Sequence, residues 1–137
     1  MTHAQTNVRI ALETRLAALA GVLPTAHQNQ SYTPTDGVPY QRARLLPATP
    51  ENPTMGDGFY REVGIFQVSL YYPIGAGSQA VGAMAKAVAE WFPRGSSYTN
   101  SGIMVVIGKT PAVAEGFEVD GWWVVPVRIE YFANVQP

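Results

Sequence analysis

The central part of the chain alternates between apolar and polar residues, and this pattern predicts a long strand followed by a helix. From Val63 to Tyr72 every second side chain is large and apolar, as in a strand with one buried face. Pro73 ends the strand because proline cannot donate a ladder hydrogen bond. The glycine-rich segment 74–78 allows a turn, and Ser78 is placed to cap the helix. The core-facing residues of the strand are Phe66, Val68, Leu70 and Tyr72.

The predicted helix carries one apolar stripe, which indicates that it packs on this strand. Its apolar side chains recur at helical spacing between residues 79 and 92, and Pro93 ends it. We expect the small residues Ala80, Ala83 and Ala87 to flank the stripe and to let the helix approach the sheet closely. The stripe itself consists of Val81, Met84, Val88 and Trp91.

A second amphipathic helix is predicted near the N-terminus. Between residues 5 and 20 the apolar side chains again recur at helical spacing, and Gly21 and Pro24 mark the end of the helix. In a domain of this size such a helix packs on its own sheet more often than on a partner. Its apolar side chains are Val8, Leu12, Leu16 and Leu19.

Two further segments have the pattern of strands. Tyr40–Leu46 alternates and places Arg42 and Arg44 on one face, where they either lie in solvent or pair with a neighbouring subunit. Ile103–Ile107 is a continuous apolar run, which predicts a strand buried on both faces. The segment Pro47–Gly58 has no periodicity and holds three prolines and two glycines, so we expect a long, mobile loop.

The C-terminal part of the chain predicts a hairpin. Asp120-Gly121 is a strong turn signal between residues 116–119 and the alternating segment 122–132. Pro126 interrupts the second strand, which favours an edge position or a bulge there. Trp122 lies opposite the core face, so it either contacts a partner or belongs to a second hydrophobic layer under the long loop. The predicted core face consists of Trp123, Val125, Val127, Ile129 and Tyr131.

Together these elements predict a single α+β domain over residues 1–137. We expect a mainly antiparallel mixed β-sheet with two helices packed on one face. Residues 1–6 and 134–137 are predicted to be disordered.

The composition favours a subunit of an assembly over an isolated protein. Charged residues make up only 14% of the chain and hydrophobic residues 47%, although a large core with many glycines and prolines gives similar values. The net charge of -1 gives the chain no excess of positive charge with which to bind nucleic acid or an acidic membrane. With no cysteine, the chain forms no disulfide and no thiolate metal site. No apolar run is long enough to span a bilayer, and there is no signal sequence.

Motifs for catalysis are weak. Gly75–Ala80 fits G-x-G-x-x-A, the turn that holds a dinucleotide pyrophosphate, but the preceding strand is half polar and no acidic residue follows to hold the ribose. A strand-to-helix turn is favoured, and a small-ligand or nucleotide-binding module is the alternative function. Only His3 and His27 could serve as a catalytic base or a nitrogen ligand, without a nucleophile motif nearby. We predict no enzyme activity, no cofactor and no metal site.

The order of these elements resembles the small tail-terminator (tail-completion) proteins of long-tailed bacteriophages, including related prophage proteins. The resemblance covers Ile10–Ala133 and rests on hydrophobic and turn patterns. It is carried by the segments QNQSYTP, GVPYQRARLLPA, REVGIFQVSLYYPIGAGS, EWFPRG and DGWWVVPVRIEYFA.

The resemblance implies a structural assembly protein. Members of this family form a hexameric ring that caps the finished tail tube, ends tube polymerisation and presents the surface to which the head attaches. The implied partners are other copies of the chain, the tail-tube protein and the head–tail connector protein. DNA passes through such a ring without sequence-specific binding, and the implied location is the host cytoplasm during assembly and then the virion tail. The candidate subunit or tube interface consists of Arg42, Arg44, Met55, Asp57, Tyr60, Arg61 and Trp122.

Overall fold

The computed structural model describes residues 2–27, 30–52, 60–75, 77 and 79–135. Within these residues the chain forms two helices and one eight-stranded sheet with the order β1-β2-β3-β8-β5-β4, and β6 and β7 also pair with β8. The elements are α1 (Thr2–Ala17), β1 (Thr25–His27), β2 (Tyr40–Pro47), β3 (Tyr60–Pro73), α2 (Gln79–Trp91), β4 (Ser97–Asn100), β5 (Ile103–Ile107), β6 (Ala112–Val113), β7 (Phe117–Val119) and β8 (Trp122–Val135).

The two longest strands, β3 and β8, form the centre of the sheet. They are antiparallel and pair along their whole length, from Tyr60↔Val135 to Pro73↔Trp122. Strand β2 pairs with the other side of β3, while β7, β6 and β5 cover the other side of β8 in turn. Only the pairing of β1 with β2 is parallel among the described strands. The sheet is therefore mixed and mainly antiparallel, and the predicted α+β fold is confirmed.

Both helices pack on the same face of the sheet, as predicted. The alternating side chains of β3 and β8 form one buried cluster with the apolar stripes of α1 and α2. In α2 the small residue at the contact is Ala85, because Ala80 and Ala83 are exposed and Ala87 is only half-buried. The predicted close approach through those three alanines was therefore wrong, since Val81, Ala85 and Val88 define the buried side of the helix.

One contact ties the two helices to each other. The guanidinium of Arg15 lies 3.6 Å from the centre of the Trp91 indole ring and donates to the carbonyl oxygen of Trp91 at 2.9 Å. In return, Nε1 of Trp91 donates to the carbonyl oxygen of Arg15 at 2.6 Å. Each side chain thus donates a hydrogen bond to a carbonyl oxygen near the C-terminal end of the other helix, and the guanidinium also stacks on the indole ring.

Two strands lie in segments that have no strand pattern in the sequence. Strand β1 is held by Gln41, whose backbone N–H donates to the carbonyl oxygen of Pro24 and whose fully buried side chain donates to Oγ1 of Thr25. Strand β4 is polar and pairs with β5 across the turn at Ser101-Gly102. Strand β5 is buried on one face only, because Met104 is 51% exposed. The prediction that this strand is buried on both faces was wrong.

Pro126 lies in the central strand, so the predicted edge position was wrong. Its carbonyl oxygen accepts a hydrogen bond from the backbone N–H of Ala114, so its polar groups point toward the side of β8 where β6 and β7 pair. The missing N–H falls between these two short strands and costs no hydrogen bond to β3. The predicted hairpin turn is confirmed, with positive φ at both Asp120 and Gly121.

The first helix and the last strand lie close to the two ends of the described residues. Helix α1 includes residues 2–6, where Ala4 is buried, and β8 includes residues 134–135, where Val135 is buried. Of the predicted mobile loop, residues 53–58 lie outside the described residues, and so does Ser78, the predicted cap of α2.

Two glycine-to-alanine substitutions test the packing of the sheet. A Cβ added at Gly64 would lie 2.6 Å from both the carbonyl oxygen of Leu46 and the hydroxyl of Tyr131, so Gly64→Ala lowers the free energy of unfolding by about 2 kcal/mol or more. A Cβ at Gly82, in α2, meets nothing within 4 Å, and Gly82→Ala raises stability by up to about 1 kcal/mol. Urea unfolding measures both. Equal effects of the two substitutions would contradict this account of Gly64.

Candidate functional site

The sheet face that the helices leave free, the outer face, carries a layer of aromatic rings at one end. Tyr40 stacks on Tyr71 of the neighbouring strand at 4.7 Å between ring centres, and the edge of Trp122 meets Tyr40 at 5.1 Å. Tyr32, from the segment before β2, stacks on the opposite side of Tyr40 at 5.2 Å. Tyr40 is consequently only 3% exposed although it faces away from the helices. Trp122 therefore packs in an aromatic layer, which Tyr32 helps to cover, while Trp122 itself stays half-buried.

Arg42 extends this layer with a positive charge. Its guanidinium lies 5.6 Å from the ring centres of both Tyr40 and Tyr71. Burial raises the pKa of Tyr71, and the positive charge of Arg42 partly offsets that rise. The arginine and the aromatic layer therefore form one continuous surface.

Two more arginines continue along the same face. Arg44 lies beside Gln67 on β3, and Gln67 lies beside Arg128 on β8, so one row crosses three strands. The oxygen Oε1 of Gln67 accepts from Nε of Arg128 at 3.4 Å, and its Nε2 donates to the hydroxyl of Ser69 at 3.3 Å. Arg44 and Arg128 are exposed. We call Arg42, Arg44 and Arg128 the arginine patch.

The arginine patch has no counter-charge among the described residues. No carboxylate of that part of the chain lies within 4.0 Å of any of its guanidinium groups, whereas Arg61, Lys109 and His27 each have one. Arginines on an open sheet face are suited to bidentate contact with carboxylates of another molecule. The patch is therefore the strongest candidate for a binding surface.

The other predicted interface residues do not join this patch. Arg61 is at the opposite end of β3, where it donates to Oδ1 of Asn134 at 2.9 Å, approaches Glu51 at 4.0 Å and lies over the ring of Phe132. Tyr60 precedes it on the strand and is half-buried. The predicted residues Met55 and Asp57 lie outside the described residues. The structure thus places Arg42 beside Tyr40, the ring that Trp122 contacts, while Arg44 lies one step further along the face. Tyr60 and Arg61 lie at the other end of β3.

Three buried oxygen atoms near the start of β3 have no hydrogen-bond partner in the described structure: Oε2 of Glu62 and the hydroxyls of Tyr60 and Tyr131. Glu62 and Tyr131 are each 3% exposed. Burial, and then the charge of Glu62, raises the pKa of Tyr131, and the same two causes raise the pKa of Tyr60. This cluster has no nucleophile, and it holds only one carboxylate.

The structure does not place the Gly75–Ala80 turn in a dinucleotide-binding unit. Strand β3, which leads into the turn, is antiparallel to both of its neighbours, whereas the nucleotide fold requires a parallel strand. The cavity beside Gly75 and Gly77 is also lined by Glu118, whose carboxylate repels a phosphate. No group of three or more potential metal ligands among His, Cys, Asp and Glu is found within the described ranges. None of the helices that the structure describes is sufficiently long and apolar to span a bilayer.

Comparisons with known proteins identify the family. The model of the family described as "Phage tail terminator protein" matches residues 7–131, which is most of the chain, and the chain therefore belongs to this family. No curated protein matches the sequence. A solved structure is similar to it, with 32% sequence identity, a TM-score of 0.76 and coverage of 97% of both chains. The protein is thus a structural component of a bacteriophage tail, and it acts in tail assembly in contact with tail and head components.

The aromatic layer gives a test of the role of Trp122. Because its ring packs on Tyr40, Trp122→Ala lowers the free energy of unfolding by about 1–3 kcal/mol, as urea unfolding measures. The matched control is Phe117→Ala, which removes a ring that is 46% exposed and costs less than about 1 kcal/mol. An unchanged stability of the Trp122 variant would instead favour a pure contact surface for a partner.

The raised pKa of Tyr131 predicts a loss of stability in alkali. The unfolded chain releases the tyrosine proton near pH 10 while the folded chain keeps it, so the contribution of Tyr131 to the free energy of unfolding is constant below about pH 9 and falls above pH 10. Each such tyrosine contributes at most about 1.4 kcal/mol per pH unit. Tyr131→Phe makes the fall less steep and leaves stability at pH 7 unchanged or slightly higher, since its hydroxyl has no partner. Equal slopes for both proteins between pH 9 and 11 would contradict this assignment.

Proposed function

We propose that this protein caps the finished tail tube as a homo-hexameric ring, ends polymerisation of the tube and forms the surface to which the head attaches. The match to the tail-terminator family over residues 7–131 carries the proposal. The ring assembles in the host cytoplasm and stays in the virion tail. Its partners are further copies of the chain, the tail-tube protein and the head–tail connector protein, and it has no enzymatic activity.

Two features of the fold support a ring. A closed ring requires two different patches on each subunit, one that meets the next copy and one that meets the previous copy. The chain offers an outer sheet face with unpaired arginines and, at the far side of β8, the short strand β7 with exposed apolar residues. The low charge content of 14% is consistent with further surface being covered in the assembly.

The proposed contact regions follow from the placement of the interface residues. Arg42 and Arg44 contact a neighbouring subunit, and Trp122 supports them by holding the aromatic layer in place. Tyr60 and Arg61 form a second contact region at the other end of β3, next to the loop that contains Met55 and Asp57. The near-neutral chain lets DNA pass through the ring, because strong cationic binding would hold the phosphates.

Deletion of the gene in the phage or prophage that carries it tests this function. Electron microscopy of the lysates is expected to show headless tail tubes of uncontrolled length. Supplying the wild-type gene in trans restores tails of uniform length that are joined to heads, which controls for effects on neighbouring genes. Tails of normal length still joined to heads in the deletion lysate would overturn the proposal.

A further inference from the structure

The strand β7 and its flanking residues form an acidic, partly apolar edge. Glu115, Glu118 and Asp120 are exposed, and no cation of the described structure lies within 4.0 Å of their carboxylates. Between them, Phe117 and Val119 are 46% and 37% exposed. Strand β7 pairs only with β8 in the part of the sheet that is described, so its second edge is free. We call this segment, residues 115–120, the β7 edge.

An edge of this kind is suited to contact with another molecule. Large apolar side chains on an unpaired strand expose both a hydrophobic surface and unused backbone hydrogen-bonding groups. The surrounding carboxylates restrict the partner to a surface of positive charge. The β7 edge therefore needs a cationic partner surface that is open enough to receive a strand.

The arginine patch has these properties, but it cannot reach the β7 edge of its own chain. Strand β7 pairs with residues 122–124 of β8, whereas Arg128 lies four residues further along the same strand, or about 13 Å away. Arg42 and Arg44 lie on β2, which is separated from β8 by β3. Within the described residues of a single copy, both charged surfaces consequently remain without a counter-charge.

We propose that the β7 edge of one copy docks on the arginine patch of the next copy. The charges are complementary, with three carboxylates on the edge and three guanidinium groups in the patch. The two surfaces are different, so the contact is heterologous and repeats from copy to copy in the way that a ring requires. The inference rests on the proposed ring and deepens it by naming the two surfaces that meet. Other occupants of the patch, such as DNA phosphates or an acidic segment of another tail protein, are distinguished by the test.

Two charge-reversed proteins test the contact. The first carries Arg44→Glu and Arg128→Glu, and the second carries Glu115→Arg and Glu118→Arg. Asp120 is left unchanged because its φ of 47° lies in a region that few residues tolerate. Each protein alone is expected to associate at least tenfold more weakly than wild type, since like charges then face each other. Association is measured by analytical ultracentrifugation and by electron microscopy of the protein added to tail tubes from the deletion lysate.

Mixing the two proteins is expected to restore assembly. In an equimolar mixture the acidic patch of the first protein meets the basic edge of the second at every other contact. At the contacts between, the unaltered edge of the first protein meets the unaltered patch of the second, so the two alternate around a ring with an even number of subunits. A single protein with all four substitutions also assembles.

The control, with Lys86→Glu and Arg94→Glu, changes two exposed charges elsewhere and assembles like wild type. Circular dichroism verifies that each variant is folded. If a charge-reversed protein is unfolded, two neutral variants replace the pair: Arg44→Gln/Arg128→Gln and Glu115→Gln/Glu118→Gln. Each neutral variant is expected to associate more weakly than wild type on its own.

The outcomes separate this inference from the proposed function. If the wild-type protein assembles and either altered protein assembles equally well, the docking contact is overturned but the proposed ring is not. Impaired assembly that neither the mixture nor the fourfold variant restores would also overturn it, and would assign the patch to DNA or to another tail protein. A wild-type protein that forms no ring in solution or on tubes would overturn the proposed function itself.

Discussion

The antiparallel pairing of β3 with β8 is the contact on which the rest of the structure depends. The two strands share a ladder over their full length and contribute alternate side chains to the same buried cluster. Strand β2 needs β3 as its partner, and the short strands β5, β6 and β7 need β8. Helix α2 packs on β3 and β8, while α1 packs mainly on β4 and β5, which β8 holds in the sheet. Because the ladder also fixes the register of the outer face, it decides which polar residues become neighbours there.

Elements with strong periodicity could be predicted from the sequence, while those held by neighbouring strands could not. Strand β3, helix α2 and the hairpin at Asp120 have patterns that need no tertiary information. Strand β4 is short and polar, and only its pairing with β5 makes it a strand. The position of Pro126 was misjudged for a related reason: proline usually excludes a central strand, but here the facing strand is interrupted where its N–H is missing. In both cases the pairing with neighbouring strands, and not the local sequence, determines the structure.

The candidate site could be predicted only in part. Alternation along β2 placed Arg42 and Arg44 on one face, and alternation along β8 placed Trp122 opposite the core. The sequence could not show that Arg42 and Trp122 share Tyr40 as a neighbour, because that depends on the register between strands. For the same reason Arg128 and Tyr32 were missed, since one is a lone arginine in a strand and the other lies in a polar segment without periodicity. Arg61, a candidate interface residue that the resemblance implied, is held by Asn134 and Glu51.

The carboxylates around β7 also bear on the solubility of the free protein. A free strand edge with Phe117 and Val119 exposed is the kind of surface that joins identical chains edge to edge in disordered aggregates. When two such edges approach each other, however, carboxylates on one face carboxylates on the other, and their repulsion opposes the contact. The same side chains that would attract an arginine surface therefore oppose edge-to-edge pairing of identical copies.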